Sequence, residues 1–193
     1  MGDIFIVQSH IVNQGTIMLM GEYAFGGKLC TRFMEKEACF LVDKSPLLVL
    51  DESIHYYGFN LMGAMKSSRL ALGKKSMVPI MINPAQKVCV FPTKSPFKHD
   101  CIWFNPEHIV NTTSDGNKTI VHFNNRCNIA VDMRLFTFNN KLQIARQQCD
   151  LFSGRALNTI TSLSSKPIMN RQIIKEKSGK YNFDILIKDK DEL

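Results

Sequence analysis

The sequence lacks any long hydrophobic run, because its longest uninterrupted apolar stretches, such as residues 47–50 and 80–82, are short. A helix that crosses a membrane needs roughly 20 mostly apolar residues, so we expect no membrane span. Residues 1–4 are not a basic stretch followed by an apolar core, so we expect no secretory signal either.

Paired cysteine spacing is also missing. The six cysteines never form a C-x-x-C motif, which argues against zinc knuckles and thioredoxin-like sites. The one grouping that suggests a metal is Cys89, His99 and Cys101, and without paired spacing we expect no metal there. We predict reduced, mostly buried thiols that behave as small apolar side chains.

The familiar catalytic motifs are absent as well. There is no G-x-x-x-x-G-K-[ST] or G-x-G-x-x-G cradle for nucleotides, no G-x-S-x-G elbow and no H-E-x-x-H zinc motif. Asp51 and Glu52 are adjacent, so on a helix they point in different directions and do not form a metal-binding pair. We therefore predict no catalytic residue and no cofactor. An enzyme acting on phosphorylated substrates, with lysines holding the phosphate, stays open as an alternative.

Acidic residues are missing from one long segment. The chain has 24 Lys and Arg, 17 Asp and Glu and a formal charge of +7, but residues 53–99 contain no acid at all. The basic residues in this segment are Lys66, Arg69, Lys74, Lys75, Lys87, Lys94 and Lys98. On one surface they would form a positive patch that complements the phosphates of a nucleic acid. The alternatives are a solvated face, or pairing with Asp43, Asp51 and Glu52.

Short apolar runs predict a small antiparallel meander at the N-terminus. The turn signal Asn13-Gln14-Gly15 separates residues 4–7 from residues 16–20, and we predict that these two runs pair as strands. Residues 29–34 and 38–42 read as a second pair of strands joined by a charged turn.

A helical segment near 46–72 follows. Ser45-Pro46 is a helix-start signal, and Leu47, Leu50, Ile54 and Tyr57 recur on one helix face. A second helix is predicted over residues 61–72. On this helix Met62, Met65, Arg69 and Leu72 lie on one stripe, and we expect its two methionines to be core residues.

The rest of the chain predicts further strands and then a long helix. Six short runs look extended (79–84, 87–91, 101–104, 109–112, 119–123 and 129–131), and Asp115-Gly116 is a hairpin signal. A C-terminal helical segment near 133–164 carries apolar residues at nearly heptad spacing, and Gly154 weakens it. This seam packs either on the chain's own sheet or on a second copy. The fold class is thus α+β with an antiparallel β-rich core, a single domain over 1–165 and a tail over 166–193.

An ordered series of short motifs lies in the middle of the sequence. It consists of Asp51-x-Ser53-x-x-Tyr56-Tyr57-Gly58, Gly63, Pro79-Ile80-Met81-Ile82-x-Pro84, Phe91-Pro92-Thr93-x-Ser95, Cys101-x-Trp103 and His108. In this series the chain resembles the bacterial competence transcription factor family, ComK. Weaker similarity at Gly27-Lys28-Leu29-Cys30, Glu35-Lys36 and Phe123-Asn124-Asn125 extends the resemblance over most of residues 1–140.

The resemblance implies a DNA-binding transcriptional activator of competence genes, which serve DNA uptake. It implies binding to paired A/T-rich boxes in double-stranded DNA, largely through the minor groove, as a dimer or a dimer of dimers. It also implies help to RNA polymerase, turnover through the MecA adaptor and a Clp protease, and a cytoplasmic protein that is nucleoid-associated when bound to DNA. The alternative in the same class is a general nucleic-acid-binding module without activator function.

Within this reading we predict the following DNA contacts: Lys66, Arg69, Lys74, Lys75, Lys94 and Lys98. The sequence departs from the family pattern at Ala64 and Met65, where two adjacent basic residues are common, and Lys74 and Lys75 are candidates to supply the displaced charge. In the 92–98 loop, Phe97 is either a wedge for a base step or part of an ordinary surface turn.

Overall fold

The structure is a computed structural model that describes residues 5–24, 26–73, 76–157, 174–180 and 182. The chain divides into two units, residues 1–159 and residues 160–193. In the second unit the described part is a turn in which the Glu176 amide donates to the Lys180 carbonyl at 2.7 Å. The predicted domain boundary after residue 165 lies outside the described residues.

The first unit contains ten strands and three α-helices in its described part, which confirms the α+β class. The strands are β1 (Ile6–Val7), β2 (Thr16–Tyr23), β3 (Leu29–Glu35), β4 (Cys39–Val42), β5 (Ile80–Asn83), β6 (Val88–Pro92), β7 (Ile102–Phe104), β8 (Ile109–Asp115), β9 (Lys118–Phe123) and β10 (Asn128–Val131). The helices are α1 (Pro46–Tyr56), α2 (Leu61–Leu72) and α3 (Leu135–Leu157).

The strands form two sheets, one with seven strands in the order β1-β4-β3-β2-β7-β6-β5 and one with three in the order β10-β9-β8. The hairpin predicted at Asp115-Gly116 joins β8 to β9, where Asp115 pairs with Lys118. The predicted pairing of the first two runs is wrong. β1 pairs in parallel with β4, through Ile6 opposite Leu41, because β4 offers the free edge of the meander whereas β2 is already flanked by β3 and β7.

Successive side chains along a strand point to opposite sides of the sheet, and in the large sheet both sides carry apolar residues. Leu19, Phe33 and Trp103 point to the face covered by α1 and α2. Met18 and Phe104, each next to one of these along the strand, point to the opposite face, which α3 and the small sheet cover. The core therefore has two halves, one on each side of the seven-stranded sheet.

Helices α1 and α2 have the predicted bounds, but only one of the two methionines that we expected in the core of α2 is buried. Pro46 is the first residue of α1, and the side chain of Asn60 caps α2 by accepting from the Gly63 amide at 2.6 Å. In α2, Met65 is buried as predicted, whereas Met62, which was also expected in the core, is 72% exposed. Ser68 takes the buried position instead, because it has a hydrogen-bonding partner in α3.

Helix α3 packs its apolar seam on the chain's own sheet. Phe138, Leu142 and Ala145 are buried with the small sheet and the large sheet. The helix continues through Gly154 to Leu157. The predicted seam also included Ile160 and Leu163, which lie outside the described residues. None of the helices in the described part of the chain is both long and apolar enough to span a membrane.

Candidate nucleic-acid interface

Helix α2 presents two cations that have no acidic partner. Lys66 and Arg69 are three residues apart, so they lie on the same side of the helix, and both are exposed. Within the described residues, no carboxylate lies within 4.0 Å of either charge. Met62, four residues before Lys66, extends this exposed stripe. The surface is therefore positive and partly apolar.

The acids nearest in sequence do not neutralise this surface. Asp43 is paired with Lys28 at 2.8 Å, and Glu52 is paired with Lys44 at 2.7 Å. The Lys28 ammonium lowers the pKa of Asp43. The third acid, Asp51, lies 3.5 Å from the His55 ring. The alternative in which these three acids pair with Lys or Arg residues of the 53–99 segment is therefore wrong for the described residues.

Two other basic residues of the segment have acidic partners from outside it. Lys94 forms an ion pair with Asp100, which raises the pKa of the lysine, and Lys87 lies 4.0 Å from Asp150. Lys98 is exposed and has no carboxylate within 4.0 Å among the residues that the structure describes. Lys74 and Lys75 lie outside the described residues.

The last turn of α2 and the 93–101 loop lie at the same end of the large sheet. Gln148 connects α2 to the start of β5, because its amide nitrogen donates to the Ser68 hydroxyl at 2.6 Å and to the Pro79 carbonyl at 3.0 Å. Since β5 and β6 are antiparallel, the start of β5 lies beside the end of β6, from which the loop departs. The structure thus brings Arg69 and Lys98 to the same end of the large sheet.

A further cation at this end was missed by the sequence analysis. Lys141 of α3 is half-buried, and its ammonium donates to the Pro92 carbonyl at 3.3 Å and to the Met77 sulfur at 3.8 Å. Burial lowers the pKa of this lysine. No sequence signal marks it, because it lies beside the apolar seam of α3 and looks like any solvated helix lysine. Its contacts hold together the segment after α2 and the end of β6.

Among the described residues, neither the thiols nor the groove between β8 and α3 has the features of a metal-binding or catalytic site. Cys30, Cys89, Cys101 and Cys149 are buried and Cys39 and Cys127 exposed, so the prediction of free, mostly buried thiols holds for the described residues. Burial raises the pKa of the Cys149 thiol to about 11. In the described part of the chain, no three His, Cys, Asp or Glu side chains form a group that could hold a metal ion. A groove of about 510 Å³ between β8 and α3 is lined mainly by amides and short polar groups.

Comparison with known proteins decides the family. The family model described as "ComK protein" matches residues 7–156. The chain belongs to the ComK family. A relative, the competence transcription factor of Bacillus subtilis (strain 168), is 26% identical over 137 residues, which cover 70% of this chain and 71% of the relative. No solved structure matches the chain.

ComK membership also accounts for the missing catalytic motifs. The relative is a transcription factor, so the prediction that this chain is not an enzyme is confirmed by its family.

The departure from the family pattern at positions 64 and 65 has a structural counterpart. Met65 is buried in the core beneath α2 and Ala64 is half-buried, whereas the next residue, Lys66, is exposed. In this chain, position 65 therefore contributes packing, and the charge of α2 begins one residue later.

Proposed function

We propose that this chain is a transcriptional activator of competence genes that binds double-stranded DNA through the cations at one end of the large sheet. The single observation that carries the proposal is the pair Lys66 and Arg69, exposed on α2 without an acidic partner among the described residues. Family membership supplies the biological context, because the relative is a competence transcription factor. Phosphate neutralisation is the sequence-independent part of such binding.

The finer proposal concerns which DNA is bound. We propose A/T-rich promoter boxes, read largely through the minor groove, where a narrow and strongly negative groove attracts inserted Arg or Lys. Lys98, together with Lys74 and Lys75, which follow α2 in the sequence, completes the proposed contact set with Lys66 and Arg69. Lys94 has a smaller part, because Asp100 already pairs with it. Reading two boxes at once requires a dimer or a dimer of dimers, since minor-groove edges carry little information per site.

The same proposal includes its cellular partners. An activator of this kind acts on RNA polymerase at the promoter, works in the cytoplasm and is nucleoid-associated while bound. Turnover through the MecA adaptor and a Clp protease belongs to the same picture. Each of these partners follows from the family resemblance and is tested by binding assays with the purified components.

The central test is the salt dependence of binding to duplex DNA. A double variant, Lys66→Gln with Arg69→Gln, is compared with Lys36→Gln with Lys118→Gln, two exposed lysines elsewhere that also lack a carboxylate within 4.0 Å among the described residues. Both variants lower the formal charge by two. We expect the slope of log affinity against log salt to fall by about 1.8 in the first variant and to stay near the parent value in the control. Equal slopes in both variants would place the phosphate contacts elsewhere.

A base substitution tests which groove of the DNA the protein reads. Inosine–cytosine pairs present the minor-groove acceptors of A·T pairs but the major-groove pattern of G·C pairs. We expect binding to survive replacement of A·T by inosine–cytosine pairs in the boxes and to be lost with G·C pairs. Loss with both replacements means that the major groove is read. Equal affinity for all three duplexes favours the general nucleic-acid-binding module.

A further inference from the structure

Phe97 is the most exposed large hydrophobic side chain in the described part of the chain, with 81% of its surface accessible. It follows Pro96 in the 93–101 loop that joins β6 to β7. A ring in this position adds nothing to the core, because apolar groups stabilise a fold by leaving water. Single exposed apolar residues are common, so exposure alone assigns no role. The construction of the loop is what distinguishes Phe97.

The loop is braced by hydrogen bonds at its base and across its turn. At the base, the Thr93 amide donates to the Ile102 carbonyl at 2.9 Å, and the Thr93 hydroxyl accepts from the Ile102 amide at 3.0 Å. Across the turn, the Lys98 amide donates to the Ser95 carbonyl at 3.0 Å, and the Cys101 amide donates to the Lys98 carbonyl at 3.1 Å. Phe97 therefore lies in a loop whose backbone conformation is fixed by hydrogen bonds.

The loop also rests directly on the large sheet. A Cβ atom added at Gly21 of β2 would lie 2.2 Å from the His99 carbonyl oxygen, so the loop backbone occupies the space that any other residue would fill. The His99 ring lies 5.5 Å from the ring of Tyr23, which is itself 56% exposed. The ion pair between Lys94 and Asp100 closes the loop. This support fixes the direction in which the tip extends.

The tip lies among cations. Lys98 is next to Phe97, is exposed, and has no carboxylate within 4.0 Å among the described residues. The loop shares its end of the large sheet with the last turn of α2, which carries Arg69. An exposed ring with an unpaired cation beside it suits a site where a base stacks on the ring and a phosphate meets the cation.

We propose that the 93–101 loop is a wedge for duplex DNA, in which Phe97 inserts between two stacked bases and Lys98 contacts an adjacent phosphate. The inference rests on the proposed function, because it assumes that duplex DNA is the ligand. TA steps unstack and kink easily, so they are the steps at which insertion costs least. Apolar side chains inserted at such steps bend the duplex and let it contact more protein.

The test uses A/T-rich duplexes that carry a single 2-aminopurine, moved from step to step, because this base fluoresces more strongly when it is unstacked. Phe97→Ala is compared with Phe97→Trp, which keeps a flat ring, and with Phe136→Ala, which removes a ring of similar exposure (77%) from the first turn of α3. Affinity, fluorescence and duplex bending are measured for each protein, and a thermal melt checks that each one is folded.

We expect the parent to raise the fluorescence at one step, and Phe97→Ala to abolish this rise and to weaken binding by about fivefold to a hundredfold. Phe97→Trp should retain both properties, and Phe136→Ala should match the parent. If Phe97→Ala binds and bends the duplex like the parent, the wedge is wrong although the proposed function stands. If the parent itself does not bind duplex DNA, the proposed function fails, and the wedge fails with it.

Discussion

Replacing Leu142 distinguishes a seam that packs within one chain from a seam that joins two chains. Leu142 is 7% exposed and lies with Phe138 and Ala145 in the core between α3 and the two sheets. Leu→Ala changes at buried sites cost about 2.7–5 kcal/mol. Because Leu142 also borders the groove between β8 and α3, its neighbours have room to relax, and we expect about 3 kcal/mol.

This loss is measurable as a shift in melting temperature. For a chain of this size, 1 kcal/mol corresponds to about 2–4 °C, so Leu142→Ala should melt about 6–12 °C below the parent. Leu142→Asp places a carboxylate against the apolar side chains of the seam, and the cation that shares its groove, Arg146, already donates to the Ile109 carbonyl at 2.8 Å. The cost of this burial is comparable with the whole stability of a typical domain. We expect this variant to lose cooperative unfolding.

The assay is thermal unfolding followed by circular dichroism, with sedimentation velocity on each variant. Phe136→Ala on the same helix is the control, because Phe136 is 77% exposed and its removal should change stability by less than about 0.5 kcal/mol. A Leu142→Asp protein that melts like the parent but sediments as a smaller species would refute the reasoning. That result would place Leu142 at a contact between two copies.

Two further predictions concern thiols and carboxylates. In the native protein, a thiol reagent should modify Cys39 and Cys127 quickly, whereas Cys30, Cys89, Cys101 and Cys149 should react only after denaturation; rapid modification of all six would contradict the burial. Glu22 accepts two hydrogen bonds from Arg32, at 2.8 and 2.6 Å, which hold its pKa below the ordinary value of 4.5. This stabilisation is therefore present above pH 4.5 and is lost as the pH falls through the lower folded pKa, so Glu22→Gln should flatten the acid dependence of the urea midpoint.

Local chemistry explains why much of the fold could be predicted from the sequence. Pro46 fits the first turn of a helix, where its missing N–H has no partner to lose, and α1 begins there. Gly58 has φ of 85°, a conformation that favours glycine, just after α1 ends. Asp115-Gly116 likewise forms the turn between β8 and β9. In each case the residues that decide the structure are neighbours in the chain.

Pairing between distant segments could not be predicted in the same way. β1 has only two residues, and its pairing with β4 depends on which sheet edge is free after the meander has formed. The buried residues of α2 were predicted only in part, for a related reason. Ser68 occupies a buried position because Gln148, 80 residues away in the chain, donates to its hydroxyl. A hydrophobic pattern expects apolar residues at buried positions, so it favours Met62, which is exposed, over Ser68, which is buried.

The candidate site shows the same division between local and distant causes. The absence of acids from residues 53–99 is visible in the sequence, but the free charge of the segment depends on partners that lie outside it. Asp100 and Asp150 reach back to Lys94 and Lys87, whereas Asp43 and Glu52, which are closer to α2 in the chain, are occupied by lysines of the N-terminal part. Tertiary pairing, rather than the count of basic residues, therefore sets how many phosphates the surface can neutralise. On this reasoning Lys66, Arg69 and Lys98 should dominate the salt dependence of binding, and Lys87 and Lys94 should add less to it than their charges suggest.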